Sequence, residues 1–239
     1  MDGVDLSGLF PDGGVFVQAF WFDAEPAPLL PAEQLHVERA VAQRRREFAA
    51  GRDCARRCFA LAGLSTDLPL LPDRDRAPVW PSGWTGAITH TLVDGRLFAA
   101  AVLANTSRCL AVGIDAEPGL PVSPDIASTV LTAIEAERLT RRAAGDADSM
   151  GVLTRAVFSA KETLYKAQPT ASRRMAGFDE VDIDFQDGLP EQDRPPHAFR
   201  YTRWDGFRGT GYVFRPAGLL ITGLQITPVP PPPTSVDPW

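Results

Sequence analysis

Hydrophobic and polar positions along this chain alternate between a strand period and a helix period. Val15–Phe22 (VFVQAFWF) is dense in β-branched and aromatic residues and predicts a buried strand. From about Ala32 to Ala62 the period lengthens. Val37, Val41, Phe48, Ala55 and Phe59 fall in one narrow stripe at about 100° per residue, which predicts a helix that Gly51 weakens or bends. Ser65–Ser82, with prolines at 69, 72, 78 and 81, reads as loop. Ala87–Leu92 and Arg96–Leu103 predict two strands joined at Asp94-Gly95, a strong hairpin signal. Leu110–Ala116 is a further apolar strand, stopped by Pro118-Gly119. Helical segments follow at Pro124–Arg142 and Met150–Gln168, separated by a polar AAGDADS loop. Glu180–Phe185, Ala198–Trp204, Thr210–Arg215 and Leu219–Thr227 complete a β region.

Each half thus offers helix and a set of antiparallel strands, so the expected class is α+β with two lobes. The join lies near Asn105–Leu110, giving lobes at 1–108 and 109–227. Residues 228–239 form a proline-rich tail (Pro228, Pro230–Pro233, Pro238), expected to be extended or disordered. With 239 residues the chain can bury a sizeable core, and a net charge of −6 supplies no global basic field to gather nucleic acid. Basic character is local, in Arg44–Arg46, Arg52, Arg56 and Arg57, which suits a small anionic ligand. Three cysteines without framework spacing imply a reducing compartment. Cys54 and Cys58 lie four apart on the predicted helix, but no nearby His or Cys completes a zinc set. The first residues show no signal peptide, and no stretch approaches the ~20 apolar residues of a membrane span. The expected location is cytoplasmic.

Three short segments carry the chemistry. In Val112–Pro118 (VGIDAEP), Asp115 and Glu117 project to the same side of a strand just where it ends. Two like charges that close repel, and a divalent cation reconciles them. Mg²⁺ fits best, since it needs only one or two carboxylates, with the Ala116 carbonyl, water or phosphate completing its shell. The alternative is two solvated acids at a strand end. In Phe158–Ala167 (FSAKETLYKA), Val157, Ala160, Leu164 and Ala167 form a core stripe. Phe158, Lys161, Glu162, Tyr165 and Lys166 lie on the other side, as the lining of a ligand cleft or as a solvated face with a Glu162–Lys166 pair. In Trp80–Thr91 (WPSGWTGAITHT), Gly83 and Gly86 permit close backbone approach and place His90 on a strand. Arg44 and Arg52 flank Phe48 near the inward face of their helix and require anions there. Glu47, Asp53 or a phosphate monoester would serve.

In this order and spacing the three segments resemble the Sfp-type 4′-phosphopantetheinyl transferases, in particular the bacterial subgroup serving siderophore, nonribosomal-peptide and polyketide synthases. The resemblance runs from about Glu38 to Phe178, with the family's Ser-His or Thr-His step at Thr89-His90. It implies two pseudo-symmetric α+β lobes with coenzyme A in a cleft between them. It also implies transfer of the 4′-phosphopantetheine arm to a serine of an apo acyl, peptidyl or aryl carrier protein, by a monomer, releasing adenosine 3′,5′-bisphosphate. Carried over residue by residue, Asp115, Glu117 and Glu162, with the Ala116 carbonyl, would hold Mg²⁺. His90, Thr89, Arg44 and Arg52, with Arg74 or Arg76, would grip the 3′-phosphate and neighbouring anionic groups. Lys166, with Lys161, would contact the diphosphate. The base for the carrier serine stays open between Glu162, a metal-bound hydroxide and a lysine. In this picture acidic oxygens from the two lobes converge on one ion. A Mg²⁺-dependent phosphohydrolase of coenzyme A or nucleotides, and a non-catalytic coenzyme A- or carrier-binding module, are the competing readings.

Overall fold

The computed structural model describes residues 2–167, 177–203, 205–206 and 208–227. The proline-rich tail, Gln168 and Trp204 fall outside them. In chain order the elements are β1 (Asp2–Gly3), β2 (Val15–Phe22), α1 (Pro31–Val37), α2 (Ala42–Leu61), β3 (Trp84–Val93), β4 (Arg96–Asn105) and β5 (Ala111–Pro118). They continue with α3 (Pro124–Val130), α4 (Ala133–Ala143), α5 (Ala147–Lys166), β6 (Val181–Asp184), β7 (His197–Arg203), β8 (Arg208–Phe214) and β9 (Leu219–Ile226). Two antiparallel sheets result, ordered β1-β2-β4-β3 and β5-β9-β8-β7-β6. Among the described residues no helix is long and apolar enough to cross a membrane.

The molecule has four layers, α2 on the first sheet, the first sheet on the second, and α5 outside the second. The alternation of β4 shows why. Leu97, Ala99, Ala101 and Leu103 pack toward α2 with Cys54, Cys58 and Phe59, while Phe98, Ala100, Val102 and Ala104 pack toward Val112, Ile114, Ala116, Leu219 and Ile221 of the second sheet. A strand buried on both faces must be apolar at every position, and β4 is, from Leu97 to Ala104. Cys54 and Cys58 are core residues whose thiols donate to the carbonyls of Ala99 and Ala101. Burial pushes the Cys58 thiol up to about 12, far from a metal-binding thiolate.

On the outer side of the second sheet α5 approaches β5 closely. A Cβ on Gly113 would lie 2.2 Å from the Thr163 carbonyl oxygen, so only glycine admits the helix at this distance. A buried hydroxyl cluster fixes the helix along the sheet: Thr222 Oγ1 lies 2.9 Å from Ser159 Oγ and 2.6 Å from Thr163 Oγ1. Those contacts bracket Glu162 and set the height of Lys166.

The hairpin forms as read, with Asp94 and Gly95 both at positive φ (50° and 76°). Two long predicted helices are each two. The first breaks between Val37 and Ala42, leaving Val41 72% exposed rather than on the inward stripe. Gly51 makes no bend; it lets α2 settle on β3, where its absent Cβ would meet Ile88 at 2.7 Å. The second breaks at Leu131–Thr132, where Thr132 and Glu135 form a reciprocal capping box that starts α4. The spacing Thr-x-x-Glu carried that signal. The short β1 strand and the turn at Ser7–Leu9, whose Leu9 and Phe10 rest on Gly223, lack a sequence signature.

Candidate active site

The edge strand of each sheet, β3 and β5, meet beneath the C-terminal end of α5. On β5 the pleat sends Val112, Ile114 and Ala116 between the sheets and Asp115 and Glu117 toward α5. Asp115 is 4% exposed. Its Oδ1 accepts from Lys166 Nζ at 2.6 Å and from Thr89 Oγ1 at 3.3 Å. Its Oδ2 is buried and has no hydrogen-bond partner among the described residues. Glu117 Oε2 accepts from Arg155 Nη1 at 2.8 Å. Burial first, and then Asp115, pushes the Glu117 carboxyl up to about 7, against the pull of Arg155. Glu162 is also raised by burial, with Lys166 pulling it down and Asp115 pushing it up. Asp115 thus acts electrostatically on both of the other acids, each of which is raised chiefly by burial.

Among the described residues no three His, Cys, Asp or Glu side chains close up into a ready-made metal cage. Mg²⁺ does not require one, because water and phosphate oxygens fill most of its shell. A buried carboxylate oxygen without a partner is costly, and an oxygen-preferring cation beside it relieves both that cost and the repulsion among the acids. The donor set fits such an ion. All three carboxylates come from β5 and α5, so the acids do not converge from both lobes as anticipated; the first lobe supplies Thr89, His90 and Arg44.

Successive residues of β3 point oppositely. Thr89 reaches Asp115, whereas His90 turns toward α2, where Arg44 Nη1 lies 3.1 Å from His90 Nε2. Glu47 Oε2 lies 3.5 Å from Arg44 and 4.0 Å from His90 Nδ1. Burial holds His90 below its ordinary pKa, with Glu47 opposing and Arg44 adding to the shift, and because a guanidinium only donates, Nε2 accepts from Arg44. Arg52 is buried, its guanidinium 3.7 Å from the Phe48 ring centre, with Nε donating to the Leu70 carbonyl. Among the described residues no carboxylate lies within ion-pair distance of it, and burial lowers its pKa to about 10. Such a cation is short of an anion. Asp53 does not supply one, being paired with Arg57. Arg74 is 83% exposed, beside Asp75, and Arg76 is exposed at positive φ (67°); neither is drawn into the site.

Lys161 requires a correction. Its ammonium is buried away from Asp115 and donates to Glu135 Oε2 (2.7 Å), the Val130 carbonyl (2.8 Å) and the Phe178 carbonyl (2.6 Å). An ammonium has three protons, and all are used. Phe158 likewise packs on Phe178, with ring centres 5.7 Å apart, rather than lining a cleft. One turn of helix was read too broadly: Lys161 sits ~100° from Glu162, enough to point at α4 instead of β5. Glu47 is the anion that Arg44 meets, as the sequence offered, whereas Arg155 was missed. Arg155 lies seven and eleven residues before Glu162 and Lys166, on the same helical stripe, which was a usable signal. A cavity of about 720 Å³ opens elsewhere, between the Pro26–Pro31 loop, α1 and the start of α2, and its lining does not include Asp115.

Comparison with known proteins identifies the family. Residues 32–104 match the profile of the 4′-phosphopantetheinyl transferase N-terminal domain, and residues 111–210 match that of the 4′-phosphopantetheinyl transferase superfamily. The chain is 37% identical over 228 residues to 4′-phosphopantetheinyl transferase Svp of Streptomyces mobaraensis, covering 92% of this chain and 89% of that protein. It is 37% identical over 157 residues to the transferase Npt of Nocardia iowensis (65% of this chain, 66% of that one). With PptT of Mycobacterium tuberculosis it shares 33% over 161 residues (66% and 65%).

Proposed function

Because the chain belongs to the 4′-phosphopantetheinyl transferase superfamily, we propose that it moves the 4′-phosphopantetheine arm of coenzyme A onto a serine of an apo carrier protein, releasing adenosine 3′,5′-bisphosphate. The carriers are those of siderophore, nonribosomal-peptide or polyketide synthases. The observation that carries the reading is the half-satisfied carboxylate of Asp115, with Oδ1 claimed by Lys166 and Thr89 and Oδ2 unpartnered among acids of raised pKa.

Asp115, Glu117 and Glu162, with the Ala116 carbonyl, would hold Mg²⁺. When bound it neutralises the diphosphate and stabilises charge on the departing phosphate. The protein's own groups do the rest by positioning and charge. Arg44 and Arg52 grip the 3′-phosphate, with the His90 ring beside Arg44. Lys166, anchored on Asp115, offers its remaining ammonium protons to the diphosphate oxygens. The carrier serine oxygen attacks the phosphorus bearing the pantetheine arm, and the bond from that phosphorus to the adenosine-side oxygen breaks. The serine proton passes to a base. Glu162, half-buried beside Asp115, a metal-bound hydroxide and a lysine are the candidates.

Incubation with Mg²⁺, coenzyme A and a panel of apo carriers should add the pantetheine arm, read as a mass increase on the carrier serine. Asp115→Ala should abolish that transfer while keeping the fold. Hydrolysis of coenzyme A without a carrier adduct, or an undiminished rate in Asp115→Ala, would overturn the reading.

A further inference from the structure

We propose that Thr89 is a positioning residue whose hydroxyl fixes the rotation of the Asp115 carboxylate, so that one of its two equivalent oxygens stays free of protein donors, a role that rests on the transferase reading above. The resemblance assigns this position to coenzyme A. The geometry points to Asp115 instead.

Strand β5 ends its sheet, and the Ala116 amide on that edge donates to Thr89 Oγ1 of the other sheet at 3.0 Å. A hydroxyl has two lone pairs and one proton. The Ala116 N–H takes one lone pair, and Lys166 Nζ lies 3.4 Å from the same oxygen. The proton is thereby directed at Asp115 Oδ1, 3.3 Å away. Lys166 donates to that same Oδ1 at 2.6 Å. Both donors thus converge on one oxygen, and the other is left for the ligand. The Thr89 hydroxyl is already engaged by the Ala116 amide, Lys166 and Asp115. The β-branch restricts its rotamer, so the hydroxyl cannot swing away. Without it, the Asp115 carboxylate is free to turn part-way about its terminal torsion, a soft coordinate, until both oxygens share Lys166 and neither is free. The same hydroxyl ties the two sheets together at the site, so lobe packing and carboxylate orientation depend on one atom.

The test compares Thr89→Val, which keeps the shape and loses the hydroxyl, with Thr89→Ser, which keeps the hydroxyl, in the full chain. Loss of such an outer-shell partner typically costs about 10- to 100-fold. Thr89→Val should lower kcat by about that factor with KM for coenzyme A nearly unchanged, and Thr89→Ser should restore most of the rate. Two readings need no turnover. Binding of Mn²⁺ alone, followed by its electron-spin resonance signal, should weaken about tenfold in Thr89→Val and not in Thr89→Ser. Hydrogen exchange at the Ala116 amide should accelerate in Thr89→Val alone. If Thr89→Val does not fold, Thr89→Ala takes the same measurements. Failure of the wild-type chain to modify any carrier would sink the transferase reading, while Mn²⁺ affinity and amide exchange would still judge Thr89. A raised KM for coenzyme A with unchanged kcat, or Mn²⁺ binding indifferent to the hydroxyl, would overturn the positioning role.

Discussion

Replacing Gly113 by alanine sets two effects of opposite sign against each other. Local propensity favours the change, since glycine in a strand interior costs about 0.5–1 kcal/mol relative to alanine, and Gly113 does not occupy the positive-φ region. Packing opposes it. The new Cβ would sit 2.2 Å from the Thr163 carbonyl oxygen, 2.9 Å from Ala167 Cβ and 3.1 Å from the Thr163 carbonyl carbon. Carbon and oxygen normally approach no closer than about 3.3 Å, so α5 must withdraw by roughly 1 Å. The obstacle is backbone, not a side chain that can rotate aside. Thr163 is held by Thr222 at 2.6 Å, so withdrawal also strains the buried hydroxyl cluster. Overpacking of this kind costs about 1–3 kcal/mol, which outweighs the propensity gain. Function should suffer more than stability. A retreat of ~1 Å would lengthen the 2.6 Å Lys166–Asp115 contact beyond hydrogen-bond range. Misplacement on that scale can cost about 100-fold in rate. Urea denaturation should therefore show a lower midpoint, and carrier modification measured on the still-folded protein should fall by about two orders of magnitude. A Gly113→Ala protein as stable as wild type and equally active would refute the account of α5 as the element that sets the site.

Three further outcomes follow from named contacts. Lys161→Met strands the buried Glu135 carboxylate and should lower stability by about 3–5 kcal/mol, while leaving KM for coenzyme A in the folded protein near wild type; a selective rise in KM would return Lys161 to the diphosphate. Glu117 has a folded pKa of about 7 against an unfolded value near 4.5, so the folded state binds more protons between those limits and stability must fall as pH rises through that window. Melting curves from pH 4.5 to 7 should lose part of this slope in Glu117→Gln, and an unchanged slope would remove the perturbed carboxyl. Arg52→Ala should weaken binding of coenzyme A more than of its 3′-dephospho form in a titration, and equal losses would detach Arg52 from the 3′-phosphate.

The candidate site was legible in part. Asp115 and Glu117 share a strand face because the pleat repeats every two residues, and Glu162 and Lys166 share a helix face because four residues make about one turn. Those intervals are local and survive any tertiary arrangement. His90 and Arg44, 46 residues apart, could be linked only through the family resemblance. Lys161 was misassigned because a helical wheel gives angles and not neighbours; the presence of Glu135 and two carbonyls on its side was decided by how α3, α4 and α5 pack. The two missed helix breaks differ in kind. Thr132 and Glu135 announce theirs by spacing, whereas the break before Ala42 has no proline or glycine to mark it.

By itself the chain settled what depends on short-range geometry, the α+β class and the hairpin at Asp94-Gly95, and through its motifs the family. The tertiary structure alone decided which of the nearby charges act together. Thr89, from one sheet edge, meets Asp115, from the other, only when the two sheets stack. Gly113 reveals its purpose only once α5 lies against it. Desolvation, which raises Glu117 and Glu162 and leaves Arg52 in need of an anion, is a property of assembled surroundings. A list of residues specifies charge and spacing; the removal of water that makes those charges consequential belongs to the fold.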